Sequence, residues 1–181
     1  MSHPLSIGVG LFPTEPVGAM VDYVTLAEDL GYDNVWVGDS QNIWRESTTV
    51  MAAAAGKTER IVFGTGVTNA VTRHRSLLAS SWATLAEYTG GRAILGIGTG
   101  DSSLRTMGLK PLKLAELEQA IEELRTLFRG EAVAEESSGA EFHLNYLDGP
   151  IEVPVYIAAS APKILEMSGR IADGVIVLVG T

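Results

Sequence analysis

The chain has 181 residues, 46% of them hydrophobic, no cysteine, and 22 Asp and Glu against 13 Lys and Arg, a formal charge of −9. Such a length and apolar content suit one domain around one core. The lack of cysteine excludes disulfides and thiolate chemistry, and a net negative field with scattered basic residues argues against nucleic acid as a partner. No apolar run approaches the length of a membrane span. Met1-Ser2-His3-Pro4 leads into a strand pattern without a charged-then-apolar leader, so a cytoplasmic protein with no membrane contact is expected.

Ser6 to Leu11 reads as a first strand. Val17 to Leu30 follows as a helix, with Val21, Val24, Leu26 and Leu30 at near-helical spacing and Gly31 as its stop. Asn34 to Gly38 is a second strand, Thr48 to Gly56 an alanine-rich helix, Ile61 to Val67 a third strand and Leu77 to Tyr88 a third helix. Ala93 to Gly98 makes the fourth strand. Lys113 to Arg129 is a long helix with Leu114, Leu117, Ile121, Leu124 and Phe128 on one face, and Glu116, Glu118, Glu122 and Glu123 on a solvated one. Residues 131–150 are acidic and loop-like, a surface insertion in which Phe142-His143-Leu144 forms a small hairpin arm. Pro154 to Ala159 is the fifth strand, Lys163 to Ile171 a short helix, and Val175 to Val179 the sixth strand.

Strands separated by helices run parallel, because only a crossover of that length brings the chain back to the same end of a sheet. Continuous apolar strands such as Ala93-Ile94-Leu95-Gly96-Ile97 imply burial on both faces. The alternation fits an α/β fold, either an open doubly wound sheet or a closed barrel. A complete (β/α)8 barrel takes about 250 residues, so about six βα units of a single domain are expected.

Polar residues gather just after the strands: Asp39-Ser40-Gln41, Thr68-Asn69, Thr99-Gly100-Asp101 and Ser160. In both architectures ligands sit at the carboxyl ends of the strands, so these four ends predict one binding mouth for a small molecule. Gly96-Ile97-Gly98-Thr99-Gly100-Asp101 fits a dinucleotide fingerprint only partly, because Ser103 stands where the third glycine would be. Asp39 and Asp101 also have a plain reading as turn caps, and the three glycines as packing glycines in a buried strand. Trp44, in a loop beside Arg45 and Glu46, is the aromatic candidate for the site, whereas Trp36 and Trp82 read as core and His74 as a solvated loop residue. No histidine pair has metal-ligand spacing, and no metal is expected.

Four stretches carry a further signal: Val35-Trp36-Val37-Gly38-Asp39-Ser40; Gly64-Thr65-Gly66-Val67-Thr68-Asn69; Gly90-Gly91-Arg92 leading to Gly96-Ile97-Gly98-Thr99-Gly100-Asp101; and Pro154-Val155-Tyr156-Ile157-Ala158-Ala159 followed by Ala172-Asp173-Gly174. In this order they resemble the luciferase-like monooxygenase superfamily, and within it the branch that uses the deazaflavin coenzyme F-420, especially the methylenetetrahydromethanopterin reductases and their actinobacterial relatives. The resemblance implies a TIM-type barrel, here lacking its C-terminal part, with the coenzyme ring lying across the strand ends. It assigns Asp39, Gly66, Val67, Thr68, Thr99, Gly100, Ala158, Ala159 and Ser160 to the cofactor and Ser40 and Trp44 to the substrate. Asp39 and Asp101 would orient the acceptor or manage a proton. Gly66-Val67 falls where the family places a non-prolyl cis peptide, in a bulge of the third strand.

Two departures stand out. Ser40 occupies the position of a histidine in the sugar-phosphate dehydrogenases of this branch, so that oxidation is not expected. The last two barrel units, whose loops help hold a cofactor phosphate, have no counterpart. The implied activity is hydride transfer from the reduced deazaflavin to a small electrophile, such as the C=N of a methylene-tetrahydropterin, a C=C or a C=O. A monooxygenase using flavin mononucleotide (FMN) is the alternative, and a barrel fragment without turnover a third reading. The unpaired edges Ile7-Gly8-Val9-Gly10 and Val175-Ile176-Val177-Leu178 predict a homo-oligomer.

Overall fold

The structure is a computed structural model in which residues 5–135 and 137–177 are described. In chain order the elements are β1 (Gly8–Leu11), α1 (Val17–Asp29), β2 (Asn34–Val37), α2 (Ser47–Ala55), β3 (Val62–Thr65), β4 (Thr68–Asn69), α3 (Arg75–Thr89), β5 (Ala93–Gly98), α4 (Ser102–Arg105), α5 (Leu114–Phe128), β6 (Val133–Ala134), β7 (Glu141–Phe142), β8 (Val155–Ala158), α6 (Pro162–Ile171) and β9 (Gly174–Ile176).

The main sheet is parallel and ordered β1-β2-β3-β5-β8-β9, with β4 continuing the third strand along β5. Spatial order follows chain order without reversal, so the sheet lacks the switch point of a doubly wound fold. Crossovers of one hand then lay every helix on the same face. The helices accordingly form one layer, α1 beside α2, α2 beside α3, α3 beside α5 and α5 beside α6. The result is a curled half-barrel.

The pleat divides each strand between two environments. Val35, Val37, Phe63, Leu95, Ile97, Val155 and Ile157 point at the helices and are fully buried. Trp36, Ile94 and Tyr156 lie on the concave face and are only half-buried. Burial on both faces, expected from the apolar strands, is therefore corrected: one face is sealed by helices and the other is the open interior of an incomplete barrel. Trp36 belongs to that interior and not to the core. Its ring lies 5.8 Å from that of Tyr156, and both stand over glycines of neighbouring strands, Gly64 beside Trp36 and Gly174 beside Tyr156. Large against small is how a narrow barrel interior fills.

Several boundaries differ from the sequence reading for physical reasons. The third strand does not run straight from Ile61 to Val67. Gly64 pairs with Ile94 and Thr68 with Ile97, four steps on one strand against three on its neighbour, so one residue is extra and the strand bulges. At this bulge the Thr65 carbonyl occupies the space where a Cβ on Gly96 would be, and the Thr65 hydroxyl donates to the Gly96 carbonyl at 2.7 Å. In α1 the buried face is Met20, Val24 and Ala27, while Leu26 and Leu30 are exposed. The short helix α4 has no apolar repeat that would announce it.

The 131–150 segment forms the β6–β7 hairpin apart from the main sheet, with Val133 paired to Phe142 and with Val133 and Leu144 buried against the core. The sixth strand ends at Ile176, and Leu178 and Val179 lie outside the described residues. Among the described residues no helix is long and apolar enough to cross a membrane.

Gly96→Ala tests the close approach at the bulge. A methyl there meets backbone and not a movable side chain, so a loss of at least about 1–3 kcal/mol is expected from overpacking, read as a fall in the urea midpoint at unchanged slope.

Candidate active site

Parallel strands with uniform crossovers bring every carboxyl end to one rim, and the loops there define a cleft of about 480 Å³. Asp39, Ser40 and Trp44 follow β2. Gly66, Val67, Thr68 and Asn69 form the bulge. Thr99, Gly100, Asp101, Ser102 and Ser103 follow Gly98 at the end of β5, and Ala158, Ala159 and Ser160 close β8 beside Ile176. Thus Asp39, Ser40, Trp44, Gly66, Val67, Thr68, Thr99, Gly100, Asp101, Ala158, Ala159 and Ser160 all face one space. Gln41 turns aside, its amide nitrogen 3.5 Å from Met107 Sδ.

Small residues make the floor. The Gly66–Val67 peptide is cis. Next to it, a Cβ on Gly98 would lie 3.1 Å from Val67 Cγ2 and 3.4 Å from Ala158 Cβ, so the glycine leaves room for the side chains on either side of it. Gly100 has φ +96° and turns the chain closely over Leu104, a conformation open to glycine at little cost. Two polar contacts tie the neighbouring loops. Asn69 Nδ2 donates to Ser103 Oγ at 3.1 Å while its Oδ1 accepts from the Val71 and Thr72 amides, and the Ser40 and Ser102 hydroxyls are 2.6 Å apart.

Asp39 does not cap a turn. Its side chain is 1% exposed, and a carboxylate so placed requires partners. Oδ2 accepts from Thr68 Oγ1 at 2.5 Å and from Arg73 Nε at 2.9 Å, while Oδ1 accepts from Arg73 Nη2 at 2.8 Å. The same Arg73 Nη2 reaches Glu46 Oε1 at 2.7 Å. One guanidinium therefore joins the end of β2, the start of α2 and the loop before α3. The hydrogen bonds that Arg73 donates to Asp39 raise the guanidinium above its ordinary range, against the opposing effect of burial. Burial pushes Glu46 up, but hydrogen bonds from Thr49, Thr48 and Arg73 outweigh it and hold the carboxyl down to about 2.

Asp101 differs in kind. Its side chain is 71% exposed, pairs with Arg105 at 2.5 Å, and makes no capping hydrogen bond although it stands at the start of α4. His74 is an exposed loop residue, as expected, and also caps α3, with Nδ1 accepting from the Ser76 amide and Nε2 2.9 Å from Glu135. The glutamate face of α5 is partly engaged, Glu118 with Arg170 and Glu123 with Arg75. Asn69 belongs to the polar strand ends expected to form the mouth, whereas Arg73, Ser102 and Ser103 are site residues that the sequence reading does not assign. Arg73 has one indirect signal, since a buried Asp39 demands a cation from a loop at the same rim.

Removing the guanidinium in Arg73→Gln leaves Asp39 buried without its cation, and a loss of about 3–5 kcal/mol is expected in chemical denaturation; Arg73→Lys recovers only part, because an ammonium cannot reproduce the fork. Glu46 also sets part of the acid limb. Its folded value of about 2 lies below an unfolded value of about 4.3, so its contribution is complete above that value and disappears as pH falls towards 2. Glu46→Gln should be less stable than wild type at pH 7 and should lose stability less steeply between those limits in acid titrations.

Comparison with known proteins agrees with this architecture. The chain is 35% identical over 178 residues to the 5,10-methylenetetrahydromethanopterin reductase of Methanolobus tindarius, covering 96% of this chain and 54% of the relative. It is 32% identical over 180 residues to the F-420-dependent glucose-6-phosphate dehydrogenase of Microbacterium testaceum, covering 89% of this chain and 52% of that one. The solved coenzyme F-420-dependent tetrahydromethanopterin reductase of Methanopyrus kandleri superposes with a TM-score of 0.81 at 29% identity, over 97% of this chain and 56% of that chain. The chain thus spans about half the length of the relatives it matches. The sequence profile described as Luciferase-like monooxygenase matches residues 2–180, and the chain belongs to that family.

Proposed function

We propose that this chain carries the coenzyme-binding half of an F-420-dependent oxidoreductase that transfers hydride between the reduced deazaflavin and a small electrophile with a C=N, C=C or C=O bond. The observation that supports it most is the lining of the cleft: Gly66, Gly98, Gly100, Ala158 and Ala159 surround a space of about 480 Å³ together with the hydroxyl-bearing Ser40, Thr68, Thr99 and Ser160. A lining of this kind fits a flat polycyclic cofactor. When bound, the deazaflavin supplies the hydride from a ring carbon, and positioning and electrostatics fall to the protein.

The chain's residues divide that work. Gly66 and Val67 would back the ring, Thr68, Thr99 and Gly100 would meet its edge, and Ala158, Ala159 and Ser160 would hold its side chain. Asp39, with both oxygens engaged, fixes Thr68 and orients what binds above it, whereas the exposed Asp101 carboxylate is free to turn towards an acceptor and hold or release a proton. Ser40 and Trp44 meet the acceptor. With a serine at position 40 bonded to Ser102, no imidazole stands beside Asp39 to take a proton from a sugar hydroxyl, so sugar-phosphate oxidation is not proposed.

The chain is further proposed to act as a homo-oligomer, because among the described residues β1 pairs only with β2 and β9 only with β8, and Ile7 and Val175 are exposed beside those edges. Sedimentation at micromolar concentration should give a mass above that of one chain; a single-chain mass with a cooperative melt contradicts this.

The function is tested by titrating the purified chain with oxidised coenzyme F-420 and, separately, FMN, followed by absorbance and fluorescence. Saturable binding of the deazaflavin with weaker or no binding of FMN is the expected result, and Gly98→Val, which fills the floor, should abolish it while the chain stays folded. Preferential FMN binding supports the monooxygenase reading. A folded chain that binds neither is a scaffold without a coenzyme site.

A further inference from the structure

The loop after β2 and the segment that carries α4 meet through three consecutive residues, Ser40, Gln41 and Asn42. The Ser40 and Ser102 hydroxyls lie 2.6 Å apart, Asn42 Nδ2 donates to Thr106 Oγ1 at 3.4 Å, and Gln41 Nε2 donates to Met107 Sδ at 3.5 Å. The sulfur is a weak acceptor. The other end of the same amide, Gln41 Oε1, is buried without a hydrogen-bond partner. Of these residues Ser40 and Ser102 line the cleft, so the contact between the two segments borders the binding space.

Met107 differs from Met20, Met51 and Met167, which are buried, in being 48% exposed. It is ordered all the same. The Met107 and Leu109 amides both donate to the Leu104 carbonyl at 3.0 Å, Gly108 makes the turn at φ +68°, and the Leu104 side chain is fully buried beneath it. One sulfur is thus held open to solvent with a hydrogen-bond donor already beside it.

An accessible thioether is a target for peroxides. Its lone pair displaces hydroxide from hydrogen peroxide, and the transferred OH gives its proton to that hydroxide. The sulfur is oxidised by two electrons to a sulfoxide, and the peroxide is reduced to water. The sulfoxide oxygen is a polar acceptor where the thioether was a poor one, and Gln41 Nε2 stands next to it. We propose that Met107 is a reversible peroxide-modification site, and that its sulfoxide, by accepting from Gln41, ties the loop after β2 to α4 more tightly and slows motion at the mouth of the cleft. Neither part depends on which coenzyme the cleft holds.

The full chain is treated with hydrogen peroxide and followed by peptide mass spectrometry, then by hydrogen exchange. Met107 should gain one oxygen about tenfold faster than Met20, Met51 or Met167, because susceptibility follows exposure. Unfolding in urea should level those rates, and a methionine sulfoxide reductase with a thiol reductant should reverse the modification. In the oxidised chain the amides of residues 40–46 and 102–109 should exchange about fivefold more slowly, as one stronger hydrogen bond between the two segments implies. Gln41→Leu, which keeps bulk and removes the donor, should still be oxidised at Met107 but show no slowing. Met107→Leu should show no peroxide response in either segment. The proposal is overturned if Met107 is oxidised no faster than the buried methionines, or if the oxidised chain exchanges at these segments as fast as the untreated one or faster. It is also overturned if peroxide slows Gln41→Leu as much as wild type.

Discussion

A parallel strand cannot be joined to its neighbour by a tight turn. Each connection must cross back over the sheet, and when the crossovers share one hand and the strands are laid down in sequence, every helix falls on one face. This constraint curls the sheet of this protein, hides one row of each strand under helices, and gathers all carboxyl ends at one rim. The cleft is a consequence of that geometry before it is a consequence of any particular side chain. What the side chains add is shape: glycine and alanine where strands meet under the cleft, and tryptophan against glycine in the barrel interior.

Arg73 adds an ionic tie to the hydroxyl and amide contacts that join the loops of the rim. A guanidinium has a planar fork of donors, so it can hold one carboxylate by two nitrogens and still reach a second. Here it joins Asp39 and Glu46, which arise on different elements, while Asp39 passes the constraint to Thr68 at the bulge. Two anions on one cation leave a charge that Thr48, Thr49 and Thr68 hydroxyls soften with hydrogen bonds. Asp39 is therefore held in fixed geometry by several partners, whereas Asp101 is exposed and paired with the exposed Arg105. Two aspartates that look alike in sequence thus differ in burial and in partners.

The order of elements was readable from the period of apolar residues and the punctuation by glycine, since Leu117, Ile121, Leu124 and Phe128 on α5, for example, repeat as a helix face must. The same reasoning misread α1, where Leu26 and Leu30 share the apolar count but not the buried face. Apolar alternation could not reveal that the concave face stays open, because burial there depends on strands from elsewhere in a barrel. Nor could it reveal the break in the third strand, which is a matter of register between Gly64–Thr68 and Ile94–Ile97.

By itself the sequence determined the parallel α/β architecture, the glycine-rich strand ends and the set of polar residues that had to lie just beyond them, because each of these depends on local spacing along one chain. Only the tertiary structure decided that Asp39 is tied to Arg73, that Ser40 meets Ser102, and that Phe12 stands on Trp44. Those pairs are separated by 32 to 62 residues in sequence, and nothing in a residue's neighbours along the chain records which distant loop the curl of the sheet will bring against it.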